Sequence, residues 1–167
     1  MKNNFYLILK ATIFWFIFLF ATISLAPILI LFRIFSYKLA LIVAKFWAYL
    51  TIKTLEYICK IKYVLHGELK GKTGVIFSKH QSTWETIFFL LIVANPIYIV
   101  KKELLYIPFF GWCLYLLNNI SIDRSAGRLA VQKMMKKTKE ATEKGHTVIL
   151  FPEGTRVAVS DKTKLKQ

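Results

Sequence analysis

Four short apolar segments, separated by longer and more polar stretches, constrain the fold of this chain more than any other feature. Their length suits buried strands, and they are Val75–Ser78, Ile97–Val100, Asn119–Ile122 and Thr147–Phe151. Thr83–Ala94 and Ala126–Lys144 lie between strands and have the length of helices, the second with Gly145 as a natural helix end. Strands that alternate with helices are typical of a parallel sheet. The sequence therefore predicts an α/β fold, a mainly parallel sheet flanked by helices.

Polar side chains follow the carboxyl end of every predicted strand. In chain order these are His80, Lys101, Glu103, Arg124, Glu153 and Arg156. Open α/β sheets bind ligands along that edge, because the carboxyl ends of parallel strands meet there. We therefore expect the four clusters to share one site.

An uncharged run, Ala11–Phe32, precedes the predicted sheet and is bounded by Lys10 and Arg33. Its 22 residues would span about 33 Å as a helix, enough to cross a bilayer core. A re-entrant or interfacial helix is the alternative, whereas a cleaved signal has a shorter apolar region. More Lys and Arg follow the run than precede it, which predicts a cytoplasmic-membrane protein whose remaining chain lies on the cytoplasmic side.

The composition favours membrane lipids over nucleic acid as partners. The chain is 56% apolar and 16% aromatic, and its net charge is +15. Basic charge also suits nucleic acid, but here lysines flank apolar segments, a pattern that suits anionic headgroups. We therefore expect no nucleic-acid partner.

Residues 36–60 carry lysines at spacings of 7, 8 and 7, at Lys38, Lys45, Lys53 and Lys60. Such spacing places the lysines on one face of a helix. It predicts an amphipathic helix at the membrane surface, with a helix of a larger apolar bundle as the alternative. The predicted organisation is a membrane-anchoring segment, 1–62, followed by an α/β domain, 63–167.

The segment His80-Gln-Ser-Thr-Trp-Glu85 combines an imidazole with a carboxylate. Ser82 and Glu85 have capping-box spacing, so Glu85 could serve only to bind the helix N-terminus. If Ser82 caps the helix, His80 lies in the preceding loop, where the Glu85 carboxylate can also orient the imidazole. The capping and catalytic interpretations are compatible.

The segment Phe151-Pro-Glu-Gly-Thr-Arg156 follows the last predicted strand. Gly154 allows close approach of backbone to a ligand, and Arg156 can bind phosphate oxygens through two parallel hydrogen bonds. A polar turn with a structural ion pair is the alternative, and it applies equally to Asp123-Arg124. The Lys-rich helix 133–144 is expected to face solvent or membrane.

Other chemistry finds no support in the sequence. There is no HExxH or CxxC pattern and no serine nucleophile elbow, so we expect no metal and no covalent serine intermediate. Cys59 and Cys113 lie far apart and are given no chemical role, and His66 and His146 are interpreted as structural.

Three segments together resemble the glycerolipid acyltransferases typified by bacterial 1-acylglycerol-3-phosphate acyltransferases. The first is His80–Glu85, where the family pattern His-x4-Asp has Glu in place of Asp. The second comprises Lys102-Glu-Leu104, Pro108-Phe-Phe-Gly111 and Ile122-Asp-Arg124, and the third, Phe151–Arg156, matches without change. The resemblance covers roughly residues 60–157.

The resemblance implies roles for individual residues. His80 would be the general base on the acceptor hydroxyl, and Glu85 would orient it. Substrate binding would fall to residues of the second and third segments, namely Lys102, Arg124, Glu153, Gly154, Thr155 and Arg156. The hydroxyl would attack an acyl-CoA or acyl carrier protein thioester directly, so this thioester is a co-substrate and no cofactor is expected.

The function implied by the resemblance is acylation of 1-acylglycerol-3-phosphate (lysophosphatidic acid) to phosphatidic acid in phospholipid biosynthesis. The alternatives are an acyltransferase for another lysolipid or an amino-lipid, and a truncated, non-catalytic membrane-binding protein. Family members continue past the third segment, whereas here a Lys-rich stretch, Asp161–Gln167, follows. We therefore expect the α/β domain to be short at its C-terminus.

Overall fold

A computed structural model describes residues 2–67, 69 and 73–156 of the chain. The Asp161–Gln167 stretch lies outside the described residues, as does Gly71 in the segment before the first strand. The chain divides into two compact units, Met1–Glu68 and Leu69–Gln167.

The first unit is a hairpin of two helices, α1 (Lys2–Phe35) and α2 (Tyr37–Thr54), followed by a π-helical turn, Leu55–Cys59. Ser36 separates the helices because its side chain caps α2, accepting a hydrogen bond from the N–H of Lys38 at 3.2 Å. Across the hairpin, the indole N–H of Trp47 donates to the hydroxyl of Thr22 at 3.0 Å.

The buried face of α2 is built largely from small side chains. Ala40, Ala44 and Ala48 recur every four residues and are all buried. Small residues at this spacing let two helix backbones approach closely. The pairing of α2 with α1 therefore depends on packing as well as on the hydrogen bond from Trp47.

The predicted 22-residue apolar run lies inside α1, which continues through Pro27. By length and composition, Asn4–Phe35 could cross a membrane. Only 17% of the most apolar 18-residue stretch of this helix is buried. The predicted helix over 36–60 ends earlier than expected. Lys60 adopts a left-handed backbone conformation (φ 59°) beyond the π turn, so it does not share a helical face with the other three lysines.

Residues 73–156 of the second unit form a four-stranded sheet in which every strand pair is parallel, and this confirms the predicted fold class. The strands β1 to β4 are, in chain order, Gly74–Phe77, Pro96–Lys101, Ile120–Ile122 and Thr147–Leu150. Their spatial order is β1-β4-β2-β3. Because β4 pairs on both sides, Val148 and Ile149 are fully buried.

In the part of this unit that the structure describes, three helices accompany the sheet: α3 (Trp84–Ile92), α4 (Phe110–Leu116) and α5 (Gly127–Glu143). The hydroxyl of Tyr98 on β2 donates to the carbonyl of Thr86 on α3 at 2.8 Å. Ala141 of α5 is buried in the same core cluster as Val148. As expected, Gly145 (φ 83°) follows the end of α5, and its N–H donates to the carbonyl of Thr142 at 3.0 Å.

Asn119 connects β2, β3 and α4 through its side-chain amide. Its oxygen accepts a hydrogen bond from the N–H of Tyr98 at 2.7 Å. Its nitrogen donates to the carbonyl of Leu114 at 2.9 Å. The start of β3 is thereby tied to the neighbouring strand and to the preceding helix.

The α4 helix was not predicted, because the sequence indicated only a break at Pro108–Gly111. The turn is present, but α4 begins inside it at Phe110. A seven-residue helix is too short to show a clear apolar period. Two 3₁₀ turns, Lys102–Tyr106 and Arg124–Ala126, were missed for the same reason.

Gly111 occupies a position where any side chain would collide with backbone. A Cβ there would lie 2.6 Å from the carbonyl oxygen of Leu104 and still closer to that of Leu105. We expect Gly111→Ala to destabilise the protein by about 1–3 kcal/mol through overpacking. Thermal melting of the full chain in detergent measures this. Gly74→Ala is the matched control, because a Cβ at Gly74 meets nothing within 4 Å; equal melting temperatures for the two variants would contradict the prediction.

Candidate active site

The carboxyl ends of all four strands lie at one edge of the sheet, because every strand pair is parallel. His80 follows β1, Lys102 follows β2, Asp123 follows β3, and Glu153 follows β4. The common edge predicted from the sequence is therefore present. Described side-chain contacts join these loops in two pairs, one between β1 and β4 and the other between β2 and β3.

His80 and Glu85 contact each other directly. Nδ1 of His80 lies 2.9 Å from Oε1 of Glu85, and the two side chains are about one-fifth exposed, at 20% and 17%. His80 lies in the loop before α3 and Glu85 in its first turn. The carboxylate therefore engages one ring nitrogen and can fix the orientation of the imidazole.

The Glu85 carboxylate accepts several further hydrogen bonds. The N–H groups of Gln81 and Ser82 donate to Oε1 at 2.8 and 2.9 Å, and the Ser82 hydroxyl donates to Oε2 at 2.5 Å. Partial burial alone would raise the pKa of Glu85. The bonds from Ser82, the backbone and His80 outweigh burial and hold the pKa below its ordinary value. Glu85 is therefore a carboxylate at neutral pH.

The predicted capping box is present but displaced by one residue from the start of α3. The helix begins at Trp84, and the residue before it, Thr83, makes no capping bond with its side chain in the described part. Ser82 accepts the N–H of Trp84 at 3.0 Å instead. The capping and the imidazole-orienting interpretations of Glu85 therefore hold together, because the same carboxylate binds the loop backbone and the imidazole.

Phe151 contacts His80 in a way that the sequence analysis did not anticipate. Their rings stack with centroids 4.3 Å apart and planes inclined by 29°. Phe151 follows β4 directly, and β4 is the neighbour of β1. The sequence analysis placed Phe151 at the start of the third segment but gave this residue no role of its own.

Lys102 and Asp123 form an ion pair between the loops after β2 and β3. Asp123 also accepts the N–H of Ser125 at 3.0 Å and its hydroxyl at 2.5 Å. The hydrogen bond from Lys102 and, to a smaller extent, the bonds from Ser125 lower the pKa of Asp123 to about 2. The hydrogen bond to Asp123 raises the pKa of Lys102. The predicted substrate-binding lysine is thus already paired with a carboxylate.

The third segment forms a turn, in which the N–H of Gly154 donates to the carbonyl of Phe151 at 3.0 Å and Gly154 has φ 66°. Thr155 and Arg156 are exposed. Oε2 of Glu153 is buried and has no hydrogen-bond partner within the described part of the chain. The backbone of Arg124 lies in its 3₁₀ turn, and its side chain lies outside the described part.

Other candidate groups do not add to the site. Burial raises the pKa of the Cys113 thiol to about 11, so it remains protonated at neutral pH. Among residues 2–67, 69 and 73–156, no group of three or more His, Cys, Asp or Glu side chains is placed to hold a metal ion.

Residues 51–166 match the family model described as "Acyltransferase". This chain belongs to the acyltransferase family. The matched range contains both the His80–Glu85 pair and the Lys102–Asp123 pair. The family predicted from the three sequence segments is therefore confirmed.

Several curated acyltransferases are similar to the chain. A 1-acyl-sn-glycerol-3-phosphate acyltransferase from Pseudomonas aeruginosa is 40% identical over 98% of this chain and 62% of its own length. One from Saccharomyces cerevisiae is 34% identical over 63% of this chain and 35% of its own. A lyso-ornithine lipid O-acyltransferase from Rhizobium meliloti is 28% identical over 54% of this chain and 31% of its own. The chain thus spans less than two thirds of these relatives.

The fold is similar to that of a solved member. The crystal structure of the 1-acyl-sn-glycerophosphate (LPA) acyltransferase PlsC from Thermotoga maritima matches with a TM-score of 0.75 and 24% identity. The match covers all of this chain and 68% of that one. This likeness concerns the fold alone.

The position of Glu85 predicts which nitrogen of His80 carries the proton in the neutral ring. Because the carboxylate faces Nδ1, we expect Nδ1–H and an unprotonated Nε2. Long-range ¹H–¹⁵N correlation spectra of histidine-labelled protein at alkaline pH report the tautomer. Glu85→Ala should shift His80 toward a mixture and leave His66 and His146 unchanged, whereas an Nε2–H form in the parent would contradict the prediction.

The ion pair of Asp123 predicts a pH-dependent contribution to stability. Its pKa is depressed in the folded state, so the contribution is present above the ordinary value of about 3.9 and lost as pH falls through about 2. We expect Asp123→Asn to melt slightly below the parent at neutral pH, because the pair is partly exposed. The difference in melting temperature between the variant and the parent should disappear as the pH is lowered and should decrease as salt is added. Glu140→Gln, on the exposed side of α5, is the control; a gap independent of pH would contradict the assignment.

Proposed function

We propose that the protein transfers an acyl group from a thioester donor to the free hydroxyl of 1-acylglycerol-3-phosphate and so forms phosphatidic acid. The observation that carries this proposal is the His80–Glu85 pair, with Nδ1 and Oε1 2.9 Å apart at the ligand-binding edge of a parallel sheet. The similarity to the Pseudomonas and yeast enzymes, named for this reaction, supports the choice of acceptor.

The proposed reaction needs one base and no covalent enzyme intermediate. Nε2 of His80 accepts the hydroxyl proton as the acceptor oxygen attacks the thioester carbonyl carbon. The carbon–sulfur bond then breaks, and the departing thiolate takes the proton back from the imidazolium. Glu85 stabilises that imidazolium because it is ionised and directly hydrogen-bonded to the ring. General-base catalysis of this kind contributes roughly 10²–10⁴ in rate.

Cationic side chains at the same edge suit the acceptor phosphate. Lys102 follows β2, and Arg124 and Arg156 follow β3 and β4. Since Lys102 is paired with Asp123, a phosphate must share this lysine with the carboxylate. The buried oxygen of Glu153, without a partner in the described part, suits a glycerol hydroxyl as donor; Gly154 and Thr155 complete the binding turn.

We further propose that α1 holds the protein in the cytoplasmic membrane with the catalytic unit on the cytoplasmic side. The length and apolar character of Asn4–Phe35 support insertion, and the excess of Lys and Arg after the helix supports the orientation. The donor in this arrangement is a cytoplasmic acyl-CoA or acyl carrier protein thioester. Acyl carrier protein, lysophosphatidic acid and membrane lipids are then the partners.

A second acceptor class is favoured by a specific observation. Asp123 neutralises Lys102, which reduces the positive charge that a phosphate would meet at the end of β2. The similarity to a lyso-ornithine lipid O-acyltransferase points to an amino-lipid as the alternative acceptor. Both reactions use the same base, so they are distinguished by acceptor preference.

The test uses the purified full chain in detergent with labelled acyl-CoA or acyl carrier protein thioester, and with lysophosphatidic acid or lyso-ornithine lipid. We expect phosphatidic acid from the parent and a loss of about 10²–10⁴ in kcat for His80→Ala. Glu85→Ala should lower kcat with little change in KM, because Glu85 orients the base.

His66→Ala is the matched histidine control, because His66 is exposed in the first unit. Acylation of lyso-ornithine lipid alone would select the second acceptor. A folded parent that acylates neither lipid would overturn the proposal, and so would full activity of His80→Ala.

A further inference from the structure

His80 needs more than one contact to be held in a single orientation. Its hydrogen bond to Glu85 fixes Nδ1, but the imidazole plane can still swivel about that contact. Any such swivel would move Nε2, the nitrogen proposed to take the acceptor proton. The rate of proton transfer depends on this position, since reacting groups must approach within hydrogen-bond reach.

The ring of Phe151 removes this freedom. It lies against one face of the imidazole with the centroids 4.3 Å apart and the planes 29° from parallel. A swivel of His80 would drive the edge of the imidazole into the phenyl ring. Glu85 and Phe151 therefore restrict the same side chain in complementary directions, one within the ring plane and the other across it.

Phe151 is itself held by backbone bonds on both sides. The preceding residue, Leu150, pairs with Phe77 in the β1–β4 ladder, and its carbonyl accepts the N–H of Ser78 at 3.0 Å. The carbonyl of Phe151 accepts the N–H of Gly154 at 3.0 Å. The β4 strand and the turn that follows it therefore set the position of the phenyl ring relative to the loop that carries His80.

We infer that Phe151 is a positioning residue for His80: it holds the imidazole plane so that Nε2 faces the acceptor hydroxyl. The inference rests on the proposed function. The phenyl face also favours the imidazolium that forms during the reaction, because an aromatic face attracts a cation.

The stack can be tested without any measurement of activity. An aromatic ring stacked on an imidazole shields its C–H protons, so the His80 resonances should lie upfield of those of His66 and His146. Phe151→Leu retains an apolar side chain but removes the ring, and we expect the His80 resonances to move downfield. His80→Gln assigns the signals. Resonances of His80 that do not move in Phe151→Leu would overturn the stack.

The role of the stack is tested by kinetics of the full chain with lysophosphatidic acid and acyl-CoA. We expect Phe151→Leu to lower kcat about tenfold with KM unchanged for both substrates, since binding groups stay in place while the base loses its orientation. Phe151→Tyr keeps the ring and should retain most of the activity. Phe77→Leu is the matched control, because Phe77 lies on β1 and is 68% exposed.

The outcomes separate this inference from the proposed function. Loss of activity in Phe151→Leu with rescue by Phe151→Tyr supports the inference. Unchanged kcat in Phe151→Leu overturns it while leaving the proposed function intact, and equal loss in both variants indicates packing alone and also overturns it. A parent that acylates no lipid contradicts the proposed function, whereas the position of the His80 resonances still reports whether the stack exists.

Discussion

The pairing of β4 with two parallel neighbours is the interaction on which the second unit depends. The β4 strand lies between β1 and β2, and its residues Val148 and Ile149 are completely buried. Because all ladders are parallel, the loops that carry His80, Lys102, Asp123 and Glu153 emerge on one side. Residues as far apart in sequence as His80 and Glu153 are thus brought to one edge by the parallel pairing of the strands.

Two carboxylates at this edge have the same task, which is to hold a basic group. Glu85 holds the imidazole of His80, and Asp123 holds the ammonium of Lys102. Each carboxylate also binds loop N–H and hydroxyl groups, from Ser82 in one case and Ser125 in the other. These bonds keep both acids ionised, so His80 and Lys102 are each held by a carboxylate.

The strands, α3 and α5 could be predicted from the sequence because apolar runs and, for α5, the glycine at its end are local signals. The His80–Glu85 contact could be predicted as well, since both residues lie within one loop and the following helical turn. The stack of Phe151 on His80 could not, because it depends on which strands are neighbours, and strand order has no local signal. The pairing of Lys102 with Asp123 was missed for the same reason. The α4 helix escaped prediction because it is short and apolar throughout.

The amide of Asn119 has a consequence for the far end of its strand. It fixes the start of β3 against Tyr98 of β2 at 2.7 Å, and β3 itself has only three residues. So short a ladder specifies its own register weakly, and a slip by one residue would turn every side chain to the opposite face. Asp123 would then point away from Lys102. Asn119, a neutral residue at the amino end of β3, thus governs whether Asp123 meets Lys102 at the carboxyl end of the strand. A substitution of Asn119 could therefore change the charge around Lys102 without altering any residue of the site.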